Sequence, residues 1–283
     1  MSHALTIAAY ALRESVRRRV FIVVALLTIA FLVLYWLGTR QAFEELDDVF
    51  PPVGIEPDEF VGATLLGLAM FATLFLGTIL AVFLTLGAVR GDAERGLLQP
   101  LVVRPVGRTT FLVGRFAGAA AVCAVYVTLV YGAAVLITGA TGGWYPDRLL
   151  GPAVELAAAV TLLVALSLLG SVFLSATANG IAVFMLFGAG LVGGLLGQIG
   201  EAIGSETLLT VSERTSWALP FEALYQDALQ RLTADARGAT RFAVELGPFG
   251  GGQEYGTWLP GWAVVYLIGV LGIGAWGFAR KDL

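Results

Sequence analysis

At 283 residues, the chain is 58% hydrophobic and only 13% charged, about half the ~25% that clothes a water-soluble domain, so a soluble globular fold is excluded. One Cys (Cys123) and one His (His3) can make neither an intrachain disulfide nor a Cys/His zinc site, and the single Lys, Lys281, leaves no G-x-x-x-x-G-K-S/T phosphate loop. A net charge of −4 gives no general attraction for nucleic acid.

In chain order, residues 4–18 come first. Leu5, Ala8, Leu12 and Val16 make an apolar stripe at helical spacing, with Arg13, Glu14, Arg17 and Arg18 off that stripe. The pattern predicts a helix lying on the membrane surface, either anchoring there or docking a partner. A bilayer crossing needs about 20 mostly apolar residues for roughly 30 Å of hydrocarbon. Six stretches meet that length: Val20–Leu37, Phe60–Val89, Phe116–Thr138, Ala153–Leu174, Ile181–Ile203 and Trp258–Ala279. The first reads as a retained span and not a cleaved signal, because no small-residue cleavage site follows Leu37. No alternating strand pattern occurs, so the expected class is an all-α polytopic membrane protein with six transmembrane helices in one transmembrane domain over 1–283.

The basic residues are strongly asymmetric. Eleven fall before the first span, between the second and third, and after the sixth, against only four acids there (Glu14, Asp92, Glu94 and Asp282). The opposite loops hold 17 acids and six basic residues. By the positive-inside bias, both termini are expected on the cytoplasmic side.

Between the second and third spans, Arg90 to Arg115 reads RGDAERGLLQPLVVRPVGRTTFLVGR. An apolar run is cut by Pro100 and stopped at Arg104-Pro105, and Gly107-Arg108 turns the chain into the next span. A short helix carrying Glu94 and Arg95 beside an apolar face is suited to press on a cytosolic protein. In the fifth span, Gly190, Gly193, Gly194, Gly197, Gly200 and Gly204 make three G-x-x-x-G pairs. Small residues at that spacing let helices approach closely in lipid, within one monomer, in a dimer or along a moving pathway contact. The last large loop, 205–257, is too aromatic to be disordered. Pro220 opens an amphipathic helix there with Phe221, Leu224, Tyr225, Ala228, Leu229 and Leu232 on one face. The loop is expected to form a small cap on the outer surface, a structural lid or a docking site for an extracytoplasmic partner.

Chemistry of its own is hard to find. There is no H-E-x-x-H, and no two spans carry facing acids in their middle thirds. Glu155 and Glu201 stand near the outer ends of spans, where a carboxylate can reach water. Met70, Met185 and Cys123 are isolated in apolar runs and read as packing. The expectation is therefore no catalytic, cofactor or metal residue, and no small inorganic ion held within the monomer. An ion-coupled or passive carrier, and a scaffold recruiting an assembly factor, remain open alternatives.

Around Arg90–Arg115 the chain resembles the ABC-2 family of ATP-binding-cassette transporter permeases, whose pattern is roughly E-x-G-T-L, a leucine-rich stretch, P-V/L-S/G-R and L-G-K. Glu94, Gly96, Leu98, Leu101, Pro105, Val106, Gly107, Arg108, Leu112, Gly114 and Arg115 carry the match. Leu97 stands in place of the usual Thr, and Arg115 in place of Lys. Leu219-Pro220 and the ending Phe-Ala-Arg-Lys-Asp-Leu are similar to the family's as well. Within the family the chain is similar to permeases grouped with NosY, which serve multicopper-enzyme maturation. The resemblance implies an ABC-2 (type V exporter-like) transmembrane domain in a homodimer, bound to two cytosolic ABC ATPase subunits that use ATP and Mg. Glu94, Arg95, Gly96, Leu98, Leu101, Arg104, Pro105 and Arg108 would then form the coupling segment seated on the ATPase, with Arg13, Glu14, Arg17 and Arg18 on a connecting helix beside it. Export or flipping of a substrate follows, with no ATPase site in this chain.

Overall fold

A computed structural model describes residues 19–46, 56–86, 107–233 and 252–280. Among them are eight helices and no strand: α1 (Arg19–Leu46), α2 (Pro57–Thr85), α3 (Arg108–Gly142), α4 (Leu150–Phe173), α5 (Ala176–Ile203), α6 (Glu206–Ala218), α7 (Pro220–Thr233) and α8 (Trp258–Ala279). All but α6 and α7 are long and apolar enough to cross a membrane. The six expected spans are present, with shifted ends. The first runs on past Leu37 to Leu46, and the second stops at Thr85, where Leu86 leaves helical geometry. α3, at 35 residues, reaches about 52 Å at 1.5 Å per residue, well beyond the hydrocarbon.

Local chemistry sets these boundaries. Pro57 opens α2, with Asp58 and Glu59 in its first turn opposite the helix dipole. Gly143 closes α3 at φ 68°, and Gly204 closes α5 at φ 67°, a left-handed conformation open to glycine at little strain. Pro220 has no N–H, so it begins α7 directly after the Leu219 break.

α2 and α4 form the middle of the bundle. Leu66, Met70, Leu74 and Leu80 of α2 meet Leu156, Val160, Leu163 and Val164 of α4 within one buried cluster that also takes in Cys123, Val127 and Tyr131 of α3. Of the isolated soft atoms, Cys123 and Met70 are thus core, while Met185 is 71% exposed. α1 is the peripheral helix. Two hydroxyl pairs tie it to α3, Thr28–Tyr126 and Tyr35–Thr138, each at 2.6 Å.

Two further contacts organise the end of the bundle at which α2 stops and α3 starts. Phe278, the first residue of the terminal Phe-Ala-Arg-Lys-Asp-Leu, is fully buried among Phe111, Leu112, Leu168 and Val172. It therefore clamps the first turn of α3 to α8. Thr85 Oγ1 shares a 2.6 Å hydrogen bond with Ser167 Oγ, and Asn179 Nδ2 donates to the Ser167 carbonyl at 2.9 Å. This buried knot joins α2, α4 and α5. Replacing Asn179 by Ala is expected to lower stability by about 1 kcal/mol, as for other buried polar contacts between membrane helices. An unchanged unfolding midpoint in detergent would show that the knot is idle.

Candidate functional site

The glycines of α5 and the helices of the following loop build one site. α5 ends at Gly204, where Ser205 N–H bonds back to the Gly200 carbonyl at 2.9 Å. The chain then reverses and α6 runs back along α5, so that Leu208 and Leu209 pass Gly200, Ser212 lies at Gly197 and Thr215 at Gly193. α7 starts beside Gly190, where Phe221 stacks on Phe187 with centroids 6.1 Å apart. From Gly204 to Gly190 is about 21 Å along the helix axis. α7 then climbs to Arg231, next to Gly151 and Glu155 at the start of α4.

Residues 206–233 are thus a helical hairpin packed along α5, with α7 wedged against α4, α5 and α8. The expected apolar face is there: Phe221, Leu224, Tyr225, Ala228, Leu229 and Leu232 are all buried. The physical reason it sinks is that the other face is buried too. Glu222, Gln226 and Asp227 are 0%, 4% and 3% exposed, each with polar partners inside the protein. Of the six glycines singled out in the sequence, Gly190, Gly193, Gly194, Gly197 and Gly200 form the trough that receives the hairpin, while Gly204 serves the turn after α5.

The polar partners form three linked groups. Gln226 Nε2 donates to Glu222 Oε1 at 2.8 Å, and Gln198 Nε2 of α5 donates to Gln226 Oε1 at 3.2 Å. Tyr255 hydrogen-bonds Ser216 at 2.7 Å and donates to Gln253 Oε1 at 2.9 Å. Asp227 accepts the Tyr255 backbone N–H at 3.0 Å through Oδ1, and Arg231 Nε at 2.8 Å through Oδ2. Arg231 Nε also lies 2.7 Å from Glu155 Oε1. Glu155 is accordingly not the water-reaching carboxylate expected from its position in the sequence. It is held by a guanidinium, with its side chain 13% exposed. Trp217, Trp258 and Trp262 stack around this level, with Trp262 Nε1 donating to the Trp217 carbonyl at 3.0 Å. Such an amphipathic aromatic cluster suits a membrane–water interface.

Burial of Glu222 pushes its carboxyl pKa up to about 7 from an ordinary 4.5, partly opposed by the Gln226 hydrogen bond. The folded state therefore holds this proton between pH ~4.5 and ~7, where the unfolded chain has released it, so stability falls as pH rises through that window and levels off above it. Glu222→Gln is expected to reduce the fall by about 3 kcal/mol at neutral pH. Unfolding midpoints from pH 4.5 to 8 that decline equally in the variant would contradict this.

No three His, Cys, Asp or Glu side chains converge among the described residues. Of the other residues expected at functional positions, Arg108 begins α3, while Arg13, Glu14, Arg17, Arg18, Glu94, Arg95, Gly96, Leu98, Leu101, Arg104 and Pro105 lie outside the described residues. Arg115 lies 5.5 Å over the Phe111 ring, and Arg280 lies 4.1 Å over Trp276, so these two cations near the Leu86 end sit on aromatic faces. Glu222, Gln226 and Asp227 went unnoticed in the sequence. Their signal is the spacing of Glu222 and Gln226, one helical turn apart and opposite a run of glycines.

The profile of the ABC-2 family transporter proteins matches residues 5–283. The chain belongs to the ABC-2 family. It is also similar to a probable ABC transporter permease protein NosY of Stutzerimonas stutzeri, at 30% identity over 137 residues. That similarity spans 48% of this chain and 45% of the relative. Six apolar helices within an ABC-2 transporter family make this a multi-pass membrane protein.

Proposed function

We propose that this ABC-2 protein is the permease subunit of an ABC exporter, moving or flipping its substrate across the cytoplasmic membrane with energy from a separate ATPase. Two copies pair in the membrane and bind two cytosolic ATPase subunits, which bind and hydrolyse Mg-ATP. Both termini and the Arg90–Arg115 segment face the cytosol, and the α6–α7 hairpin enters from the opposite side. The family match over residues 5–283 carries this reading. Supporting it, the Leu86 end of the bundle displays Arg115 and Arg280, while the α7 end carries the acidic loops, the asymmetry expected of a cytosolic face.

In mechanical terms, the coupling segment leaves α2 at Leu86 and rejoins at Gly107-Arg108. Its two roots are the Thr85–Ser167–Asn179 knot and the Phe111–Phe278 clamp. A displacement of the segment would therefore reach α2, α3, α4, α5 and α8 together. Purification of the tagged chain from its native membrane tests the proposal. An ABC ATPase is expected to co-purify at equal stoichiometry and to turn over ATP faster when both are reconstituted. If no ATPase accompanies the chain, the proposal fails.

One observation favours a second reading. Buried Glu222 and Asp227 give the bundle ionisable groups that an ion-coupled carrier would use. Substrate uptake by vesicles lacking any ATPase, driven by a pH gradient alone, would select it.

A further inference from the structure

The two halves of α7 are attached by unlike means. In the first half, Phe221 and Glu222 are fully buried, and Glu222 faces the bare backbone of Gly190 and Gly194 on α5. Its Oε1 accepts the Gln226 amide, while Oε2 is buried with no hydrogen-bond partner in the protein. A neutral carboxyl tolerates that position. A carboxylate does not, because an unpaired buried charge costs far more than an unpaired O–H. In the second half, Arg231 ties the helix to Glu155 on α4 and is braced by Asp227. That pin does not involve Glu222.

The groups around Glu222 supply no cation to steady its ionised form. The charged residues of α2 are Asp58 and Glu59, both in its first turn; that of α4 is Glu155, and α8 has none. Glu201 of α5, the α6 residues Glu206, Glu213 and Arg214, and Glu254 before α8 are all exposed. On α7 itself, Arg231 is engaged by Asp227 and Glu155. Tyr225 and Tyr255 feel the Glu222 charge, but burial pushes both phenols up, Tyr255 to about 12, so both stay neutral near pH 7. At the tip, Phe221 stacks on Phe187, whose ring meets Phe75 of α2 with centroids 5.9 Å apart. Movement of the tip therefore reaches α5 and α2 together.

We propose that α7 is a proton-released latch: with Glu222 neutral, residues 220–226 stay seated on α5, and when the proton passes to water that half leaves the trough while Arg231 holds the other end on α4. The latch needs neither the ATPase nor a transported ion, so it and the proposed function can fail separately. A helix of 14 residues is marginal on its own, so its first turns fray once off α5 and their amides exchange. Hydrogen–deuterium exchange of the full chain in detergent tests this, with labelling times scaled to the intrinsic amide rate at each pH. One proton released per opening makes opening about tenfold more frequent per pH unit, between the ordinary carboxyl value and that of the buried group. Protection of 220–226 is expected to fall by more than about tenfold from pH ~5 to ~6.5 and to level off above pH ~7, while α4 and α8 keep theirs. Glu222→Gln, isosteric with the neutral acid, is expected to remain protected there at every pH. Gln198→Ala removes a tie between α5 and α7 but leaves the acid, and is expected to lower protection at every pH with the slope kept. Protection independent of pH in wild type, or an equal fall in Glu222→Gln, overturns the latch. So does a fall shared by α4 and α8, which would be unfolding of the whole chain, or a slope lost in Gln198→Ala.

Discussion

Gly190→Leu combined with Gly194→Leu is expected to abolish a stable fold, leaving protein that aggregates on extraction. At Gly190 even a Cβ would stand 2.6 Å from the Phe221 ring and 3.3 Å from Glu222 Cβ. At Gly194 it would meet Glu222 Oε1 and Gln226 Nε2. None of these groups has room to yield, since Phe221 and Glu222 are fully buried and Gln226 is locked between Glu222 and Gln198. Overpacking of a filled core costs about 1–3 kcal/mol per site and more where neighbours cannot relax, against a total stability of only about 5–15 kcal/mol. Gly188→Leu is the matched control, because no atom lies within 4 Å of its Cβ position on the same helix. It is expected to behave as wild type, with any change favourable through helix propensity. Size-exclusion profiles after graded heating would read all three proteins. A double variant as heat-stable as wild type would mean that α7 does not occupy the trough.

The second large effect follows from the proposed coupling. Glu94→Ala and Arg108→Ala are each expected to reduce ATP-driven transport to background while leaving the chain inserted in the membrane. Truncating one partner of a charged contact at an interface costs about 2–5 kcal/mol, enough to weaken ATPase engagement by more than tenfold. Basal hydrolysis by the ATPase itself would persist, since the nucleotide chemistry resides there. Transport at wild-type rates in both variants, measured in reconstituted vesicles, would place the contact elsewhere.

The spans were legible because hydropathy over about 20 residues is a local property, and so was the start of α7 at Pro220. The burial of α7 was not. A helix with Glu222, Gln226 and Asp227 on one face reads as amphipathic as long as its partners are unknown, and those partners lie at Gly190, Gly194, Gln198 and Tyr255. Likewise, the G-x-x-x-G spacing announces close approach but not what approaches. Thr85, Ser167 and Asn179 carried no signal, because lone polar residues in apolar helices mean nothing until three of them meet. Glu155 was misjudged for the same reason: its guanidinium partner is 76 positions away in sequence, at Arg231.

Thr28–Tyr126 and Tyr35–Thr138 add two hydroxyl pairs to an apolar seat that Phe21, Val24, Phe31 and Tyr35 of α1 make on the core. Pairs of this kind contribute about 1 kcal/mol each between membrane helices, so the seat supplies the attachment and the pairs set its register. A slide of α1 by one helical turn along α3 would break both pairs together.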